Sequence, residues 1–212
     1  MTTPLSVFIP EVAVEVPECP QVLIEHHAVR AIARFCKETR RLRETLAPID
    51  IVAGTSEYAV VPSSNLLKVV RVEAVWVDGE LLYPVTEAEL DAEIPEWRTE
   101  AGPPSLYAWI DEKIRLYPTP ESASTDGLVV RISYTLDLTK QHTSFESLLY
   151  QEYGDGLASG IKARLMAIPK KAWSEPKLAL FHENAFRVAV AQAKMDGAGG
   201  LTKTRLRTKV YS

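Results

Sequence analysis

Apolar residues recur along this chain with two different periods, and the change of period divides it. From Gln21 to Leu46, Ile24, Ala28, Ile32, Phe35, Thr39, Leu42 and Leu46 return at steps of three and four. That spacing predicts one amphipathic helix with a single buried stripe, stopped by Pro48. Arg30, Arg34, Arg40, Arg41 and Arg43 fall mostly off the stripe, on a face expected to be solvated. From Ile49 to Leu138 the step drops to two. Ile49–Val52 and Glu57–Val61 read as strands paired around Gly54-Thr55-Ser56, and Val69–Val77 turns at Asp78-Gly79 into Glu80–Pro84. Asp-Gly between apolar runs is a hairpin signal because both turn residues take positive φ. Val70, Val72, Ala74 and Trp76 are expected on one side of that strand. Thr86 and Glu89 have the spacing of a capping box opening a short helix to Glu93. Ser105–Ile110 with Lys113–Tyr117 predicts a second hairpin, and Leu128–Leu136 a last alternating strand, giving a unit of roughly six strands.

The helical period returns at Ser144, read as an N-cap, and runs to Ile168 across Gly154, Gly156 and Gly160. Gly156, Ala158, Ser159, Gly160 and Ala163 are small enough to let another helix approach closely. Ser174 and Pro176 open a final helix, on the order of 28 Å over ~19 residues. Its buried stripe is expected to be Leu178, Phe181, Ala185, Val188, Ala189 and Gln192, with Gly197 ending it. Before the first helix, Val12, Val14 and Val16 alternate like a strand. Pro4, Pro10, Pro17 and Pro20 interrupt this segment, so it is expected to lie extended on another surface. The pattern predicts an α+β chain: a helical bundle, an inserted antiparallel β domain, and extended N- and C-terminal arms. The boundaries fall at 1–19, 20–48, 49–140, 141–196 and 197–212.

Composition changes this picture in one respect. The 212 residues carry a formal charge of −4, 46% hydrophobic and 25% charged residues, enough for a sizeable core. The tail after Gly197-Ala198-Gly199-Gly200 holds Lys203, Arg205, Arg207 and Lys209 and no acid, so the remainder carries −8. An acidic body is a poor nucleic-acid binder, whereas the tail can meet phosphate or an acidic protein surface. No apolar run is long enough for a membrane helix, and residues 1–6 lack the pattern of a signal peptide. Cys19 and Cys36 are expected as reduced structural thiols.

Catalytic signatures are missing. His26, His27, His142 and His182 have no metal-binding spacing, and there is no nucleophile elbow, zinc-protease motif or phosphate-binding loop. Neither a cofactor nor a metal is implied. Acid pairs such as Asp111-Glu112 have ordinary surface explanations. A glycan-acting hydrolase, the alternative from another class, would need two facing carboxylates such as Glu112 and Glu121. Trp76, Trp97, Trp109 and Trp173 are expected in packing rather than in a binding groove. Two arms on an acidic body point instead to assembly, since arms that lose entropy on ordering recover it by burying surface on a neighbour.

Several stretches in order resemble the bacteriophage head-to-tail adaptor family, the connectors of tailed phages. They are Pro17-Glu18-Cys19-Pro20, Ala31 to Glu38, and Arg43-Glu44-Thr45-Leu46-Ala47-Pro48-Ile49-Asp50. Next come Tyr58-Ala59-Val60, Asp78-Gly79 with Leu82, Leu90-Asp91, Trp97-Arg98, and Ile114 to Pro120. The last are Ala158 to Pro169, Trp173-Ser174, and Thr204 to Thr208. The resemblance implies a homo-oligomeric ring of about twelve copies docked beneath the portal protein. Tail or nozzle proteins would attach on the far side, and phage DNA would pass through the lumen without specific binding. It implies a place in the virion neck after synthesis in the host cytoplasm, with no membrane partner. Leu201 to Ser212 would grip the portal through Leu201, Lys203, Arg205, Leu206, Arg207, Lys209, Val210 and Tyr211. A tail completion protein that contacts DNA through the same cations is the alternative within the assembly class.

Overall fold

The computed structural model describes residues 1–94 and 96–199. In chain order its elements are β1 (Thr2–Pro4), a 3-10 turn (Leu5–Phe8), α1 (Ile9–Ala13), α2 (Gln21–Thr39), β2 (Arg43–Thr45), β3 (Glu57–Ala59), β4 (Leu67–Val77) and β5 (Glu80–Leu81). They continue with β6 (Tyr83–Pro84), α3 (Glu87–Glu93), β7 (Leu106–Ile110), β8 (Lys113–Tyr117), β9 (Leu128–Leu136), β10 (Ser144–Glu146), α4 (Ser147–Met166) and α5 (Pro176–Gly199). The chain is α+β, as its two periods predict. It divides into two compact units, Leu42–Thr135 and the remainder on either side of it.

The inserted unit holds two four-stranded sheets, in the orders β2-β9-β4-β5 and β3-β8-β7-β6. Alternation on β9 puts Leu128, Val130 and Ile132 into one core with Val72, Val75 and Val77 of β4, and with Tyr58, Tyr107, Ile114 and Leu116 of the other sheet. The inward face of β4 passes from Val72 to Val75, an odd step, so the expected single face of Val70, Val72, Ala74 and Trp76 does not persist. The Asp78-Gly79 hairpin forms with both residues at positive φ, 49° and 81°. Asp78 also accepts hydrogen bonds from the Asp126 amide, the Ser124 hydroxyl and the Thr125 amide, which in that order hold its carboxyl below the usual range. The Thr86–Glu89 capping box opens α3, and the β7–β8 hairpin pairs in register from Leu106↔Tyr117 to Ile110↔Lys113. Ile49–Val52 and Glu57–Val61 do not pair with each other. Ile49 bridges to Leu128, and β3 pairs with β8, because each finds its hydrogen-bond partner in a strand far along the chain. Leu90, Trp97, Ala108 and Tyr117 form a second small core that includes a residue of α3.

The helical unit departs from expectation in several places, and α5 runs on to Gly199 rather than ending at Gly197. α2 ends at Thr39 rather than near Leu46, capped by Arg40 in the left-handed region at φ 51°, and Arg43–Thr45 is drawn into pairing with β9. Its buried residues include Ile24, Ala28, Ile32, Phe35 and Thr39, as the stripe requires. Ser144 lies in a strand, β10, which pairs with β1, so it does not cap a helix. The N-terminal segment is not an extended arm beyond Pro4. Phe8, Val12 and Val16 are fully buried at steps of four while Val14 is exposed, which is helical spacing; Pro10 fits because it sits in the first turn of α1.

α2 and α4 carry a test of burial. His27 is pushed down to about 4, first by burial and then by Arg164, His26 and Arg30. An unfolded histidine accepts a proton near 6.5, so between about 6.5 and about 4 the unfolded chain binds more protons than the folded one. Stability of the helical unit is therefore present above 6.5 and falls as pH drops through that window. His27→Gln is expected to flatten the pH dependence of the denaturation midpoint there, and an unchanged slope would assign it to other groups.

Candidate assembly surface on the last helix

α5 presents two apolar faces. One turns into its own bundle through Ala179, His182, Phe186, Val190 and Ala193, all buried. Small residues of α4 select this face. A Cβ added at Gly156 would collide with the Ala189 side chain, and one at Gly160 would lie 2.5 Å from the Phe186 ring. Phe186 is further enclosed by the Phe35 ring at 6.3 Å and the Arg34 guanidinium at 4.9 Å. Close helix contact through this small-residue stripe is what the sequence predicts.

The other face is the stripe expected to be buried, and this is a correction. Of that stripe, Leu178, Phe181 and Val188 are 45%, 65% and 67% exposed, and Met195, a heptad beyond Val188, extends the row at 75%. Half-buried Ala185 and exposed Gln192 lie along the row, and Ala189 turns to Gly156 of α4. Periodicity detects both faces; the glycines of α4 decide which one its own chain covers. The exposed row runs about 26 Å along the helix. An apolar row of this length on one exposed face marks a protein contact.

Its two flanks differ. Toward α2, Arg34 donates from both terminal nitrogens to Glu183 at 3.0 and 2.8 Å and from Nε to Glu38 at 2.8 Å, while Arg187 donates to Glu183 at 3.1 Å. These bonds, Arg34 first, hold the Glu183 carboxyl below its usual range. On the opposite flank, a cavity of about 720 Å³ opens where α4 kinks at Tyr153 (φ −133°, ψ 18°). Glu11, Glu152, Asp155 and Asp196 line it with Arg41, and Ala189 and Gln192 of α5 form part of its wall. Arg41 pairs with Glu152 at 2.7 Å, and the Tyr153 hydroxyl donates to Asp196 at 3.1 Å. Burial first of all pushes the Tyr153 phenol up to about 12. With Glu152 and Asp196 engaged in this way, the cavity presents a lateral acidic surface beside α5.

Sequence reasoning missed a buried charge cluster beside that face. Lys162 and His182 are each 6% exposed. Glu15 accepts from Lys162 Nζ at 2.7 Å and lies 2.8 Å from His182 Nε2, and Glu11 stands 3.6 Å from the ammonium. The Lys162 bond, ahead of the His182 contact, keeps the Glu15 carboxyl below its usual range. The cluster clamps the N-terminal segment to α4 and α5. Lys162 stands among small apolar residues, and no local pattern marks its partner 147 positions earlier.

The tail residues Leu201, Lys203, Arg205, Leu206, Arg207, Lys209, Val210 and Tyr211 lie outside the described residues. Glu121 lines a cavity of about 360 Å³ with Asp78 and Glu80, whereas Glu112 sits on the β7–β8 turn beside Lys68, so the two acids do not share a cleft. Among the described residues no group of three or more His, Cys, Asp or Glu could hold a metal, and no helix is long and apolar enough to cross a membrane. No curated protein matches the chain. A family model described as SU10 adaptor protein matches residues 9–208, nearly the whole length. A match of that extent settles the family: the chain belongs to the SU10 adaptor protein family.

Proposed function

We propose that this protein is a structural head-to-tail adaptor in the neck of a tailed-phage virion, without catalytic activity. About twelve copies close into a ring beneath the portal protein, tail or nozzle protein attaches on the far side, and DNA passes through the lumen. The observation that carries this reading is the second apolar face of α5, a row of exposed large side chains that its own chain leaves uncovered. A head-to-tail contact repeated around a closed ring multiplies a modest interface, so the α5 face seated on a different surface of the neighbouring copy suffices. The balance of −8 outside the tail supports passage of DNA without adhesion, since phosphate contacts need concentrated cations. Capture by the portal is assigned to the tail, with Lys203, Arg205, Arg207 and Lys209 flanking the apolar Leu206 and Val210.

A chain ending at residue 200, mixed with the portal ring, tests the reading. The full chain is expected to add a ring of density to the portal in electron micrographs. The shortened chain keeps its denaturation midpoint and loses portal affinity by at least about 100-fold, or about 2.7 kcal/mol. Undiminished binding would remove the tail's role. A full chain that saturates the portal without closing a ring would remove the adaptor role.

A further inference from the structure

We infer that residues 1–16 form an exchangeable plug, seated on its own chain in the free protein and on the neighbouring copy in the ring. The inference rests on the ring-forming reading above. The plug is a discrete unit. β1 pairs with β10 through Thr2↔Glu146, Thr3↔Phe145 and Pro4↔Ser144. Phe8 stacks on Phe145 and meets Tyr150 edge-on, each at 5.5 Å, and Leu5, Phe8, Val12 and Val16 are buried. Glu15 supplies the 2.7 Å partner of buried Lys162 and the partner of His182. Each of these partners lies beyond residue 20 in the chain, so among the described residues the plug is held by a seat that the rest of the chain builds. An empty seat would strand Lys162, whose ion pairs among the described residues are with Glu11 and Glu15. The seat therefore has to be filled by this sequence, and every copy carries it.

The hinge decides which copy fills it. Pro17-Glu18-Cys19-Pro20 joins the plug to α2. Proline fixes its own φ and pushes the residue before it toward extended backbone, so Val16 and Cys19 are both biased to extend. The chain instead turns back with Glu18 at φ 65°, in the left-handed region that a residue with a side chain disfavours. An extended hinge releases that strain and carries the plug away from its own seat. In dilute solution the attached plug wins, because tethering gives it an effective concentration in the millimolar range. In a ring the neighbouring seat is held at a comparable concentration. The two arrangements then make the same plug–seat contacts, and the hinge tips the balance toward exchange.

Disulfide trapping reads the outcome. Thr3 Oγ1 and Ser147 Oγ are 2.9 Å apart, so Thr3→Cys and Ser147→Cys report seating. With Cys19→Ser and Cys36→Ala, the two cysteines are placed on separate chains, mixed, assembled on the portal ring and oxidised. Linked chain pairs are expected in the assembled sample and absent from the unassembled mixture. A chain bearing both cysteines is expected to give a ladder when assembled and an internal link when free. Adding Glu18→Gly, which relaxes the left-handed hinge, shifts the assembled sample toward internal links by about fivefold for each 1 kcal/mol of strain removed. Unsubstituted protein gives an independent measurement. Rings built from equal heavy- and light-isotope chains, treated with a carbodiimide, are expected to yield Glu15–Lys162 cross-links of mixed isotope. Rings containing only internal or same-isotope links would overturn the exchange and leave the adaptor reading intact. Failure of any ring to form would overturn both.

Discussion

Replacing Glu15 by Gln is expected to lower the stability of the helical unit by about 2–3 kcal/mol, read as a shift in the denaturant midpoint. Removing one partner of a buried ion pair costs about 3–5 kcal/mol, because the remaining charge stays buried without compensation. Two features place the expected loss at or below the bottom of that range. Glu15 is itself partly exposed, and Glu11, 3.6 Å from Lys162, can take over part of the pairing. The double substitution Glu15→Gln with Lys162→Met should recover most of the loss, since it removes the stranded ammonium rather than its partner. The pH dependence has a definite sign. The folded Glu15 carboxyl titrates below its unfolded value, so its contribution is present above that value and is lost as pH falls through the depressed one. His27 acts in the same direction at higher pH. A midpoint unmoved by Glu15→Gln would mean that the Glu15–Lys162 pair contributes nothing to holding the plug, which then rests on its apolar contacts and the β1–β10 pairing.

The parts of this fold that were legible in the sequence are those decided within a few residues. Asp78-Gly79, the Thr86–Glu89 capping box and the Asp111-Glu112 turn each carry their geometry locally, and each forms as read. The glycines at 156 and 160 are legible for the same reason: absence of a side chain is a local fact with one consequence, close approach. What was not legible depends on partners far along the chain. Arg43–Thr45 leaves the helical pattern because β9 offers it hydrogen bonds, and β3 goes to β8 rather than to its sequence neighbour. In the N-terminal segment, Val12 and Val16 fit both a period of two and a step of four, and the exposure of Val14 settles the choice for the helix. The same ambiguity governs the candidate site. α5 carries two apolar rows of similar quality, and periodicity ranks neither. Only the absence of a side chain at Gly156 and Gly160 makes room for Ala189 and Phe186 to pack inward, which leaves Phe181 and Val188 outside.

That outward row is where the largest functional effect is expected. Phe181→Asp together with Val188→Asp should leave the isolated chain folded, because both side chains are already about two-thirds exposed and surface substitutions of this kind move stability by about 0.5 kcal/mol each. Assembly should respond differently. Central apolar contacts of an interface are worth about 2 kcal/mol or more each, so two lost at every contact weaken it by about 4 kcal/mol, close to 1000-fold. The cost recurs at each junction around a ring. Substituting the inward row provides the contrast: Phe186→Ala, 1% exposed, should cost about 3–5 kcal/mol of folding stability and lose assembly only through unfolding. Portal binding separates the two roles assigned to the C-terminal part of the chain. A Phe181→Asp, Val188→Asp chain retains its tail, so it should still sediment with the portal while electron micrographs show no closed ring. Closure would then belong to α5 and capture to the tail. Intact rings from the doubly substituted chain would exclude the α5 face as the contact between copies.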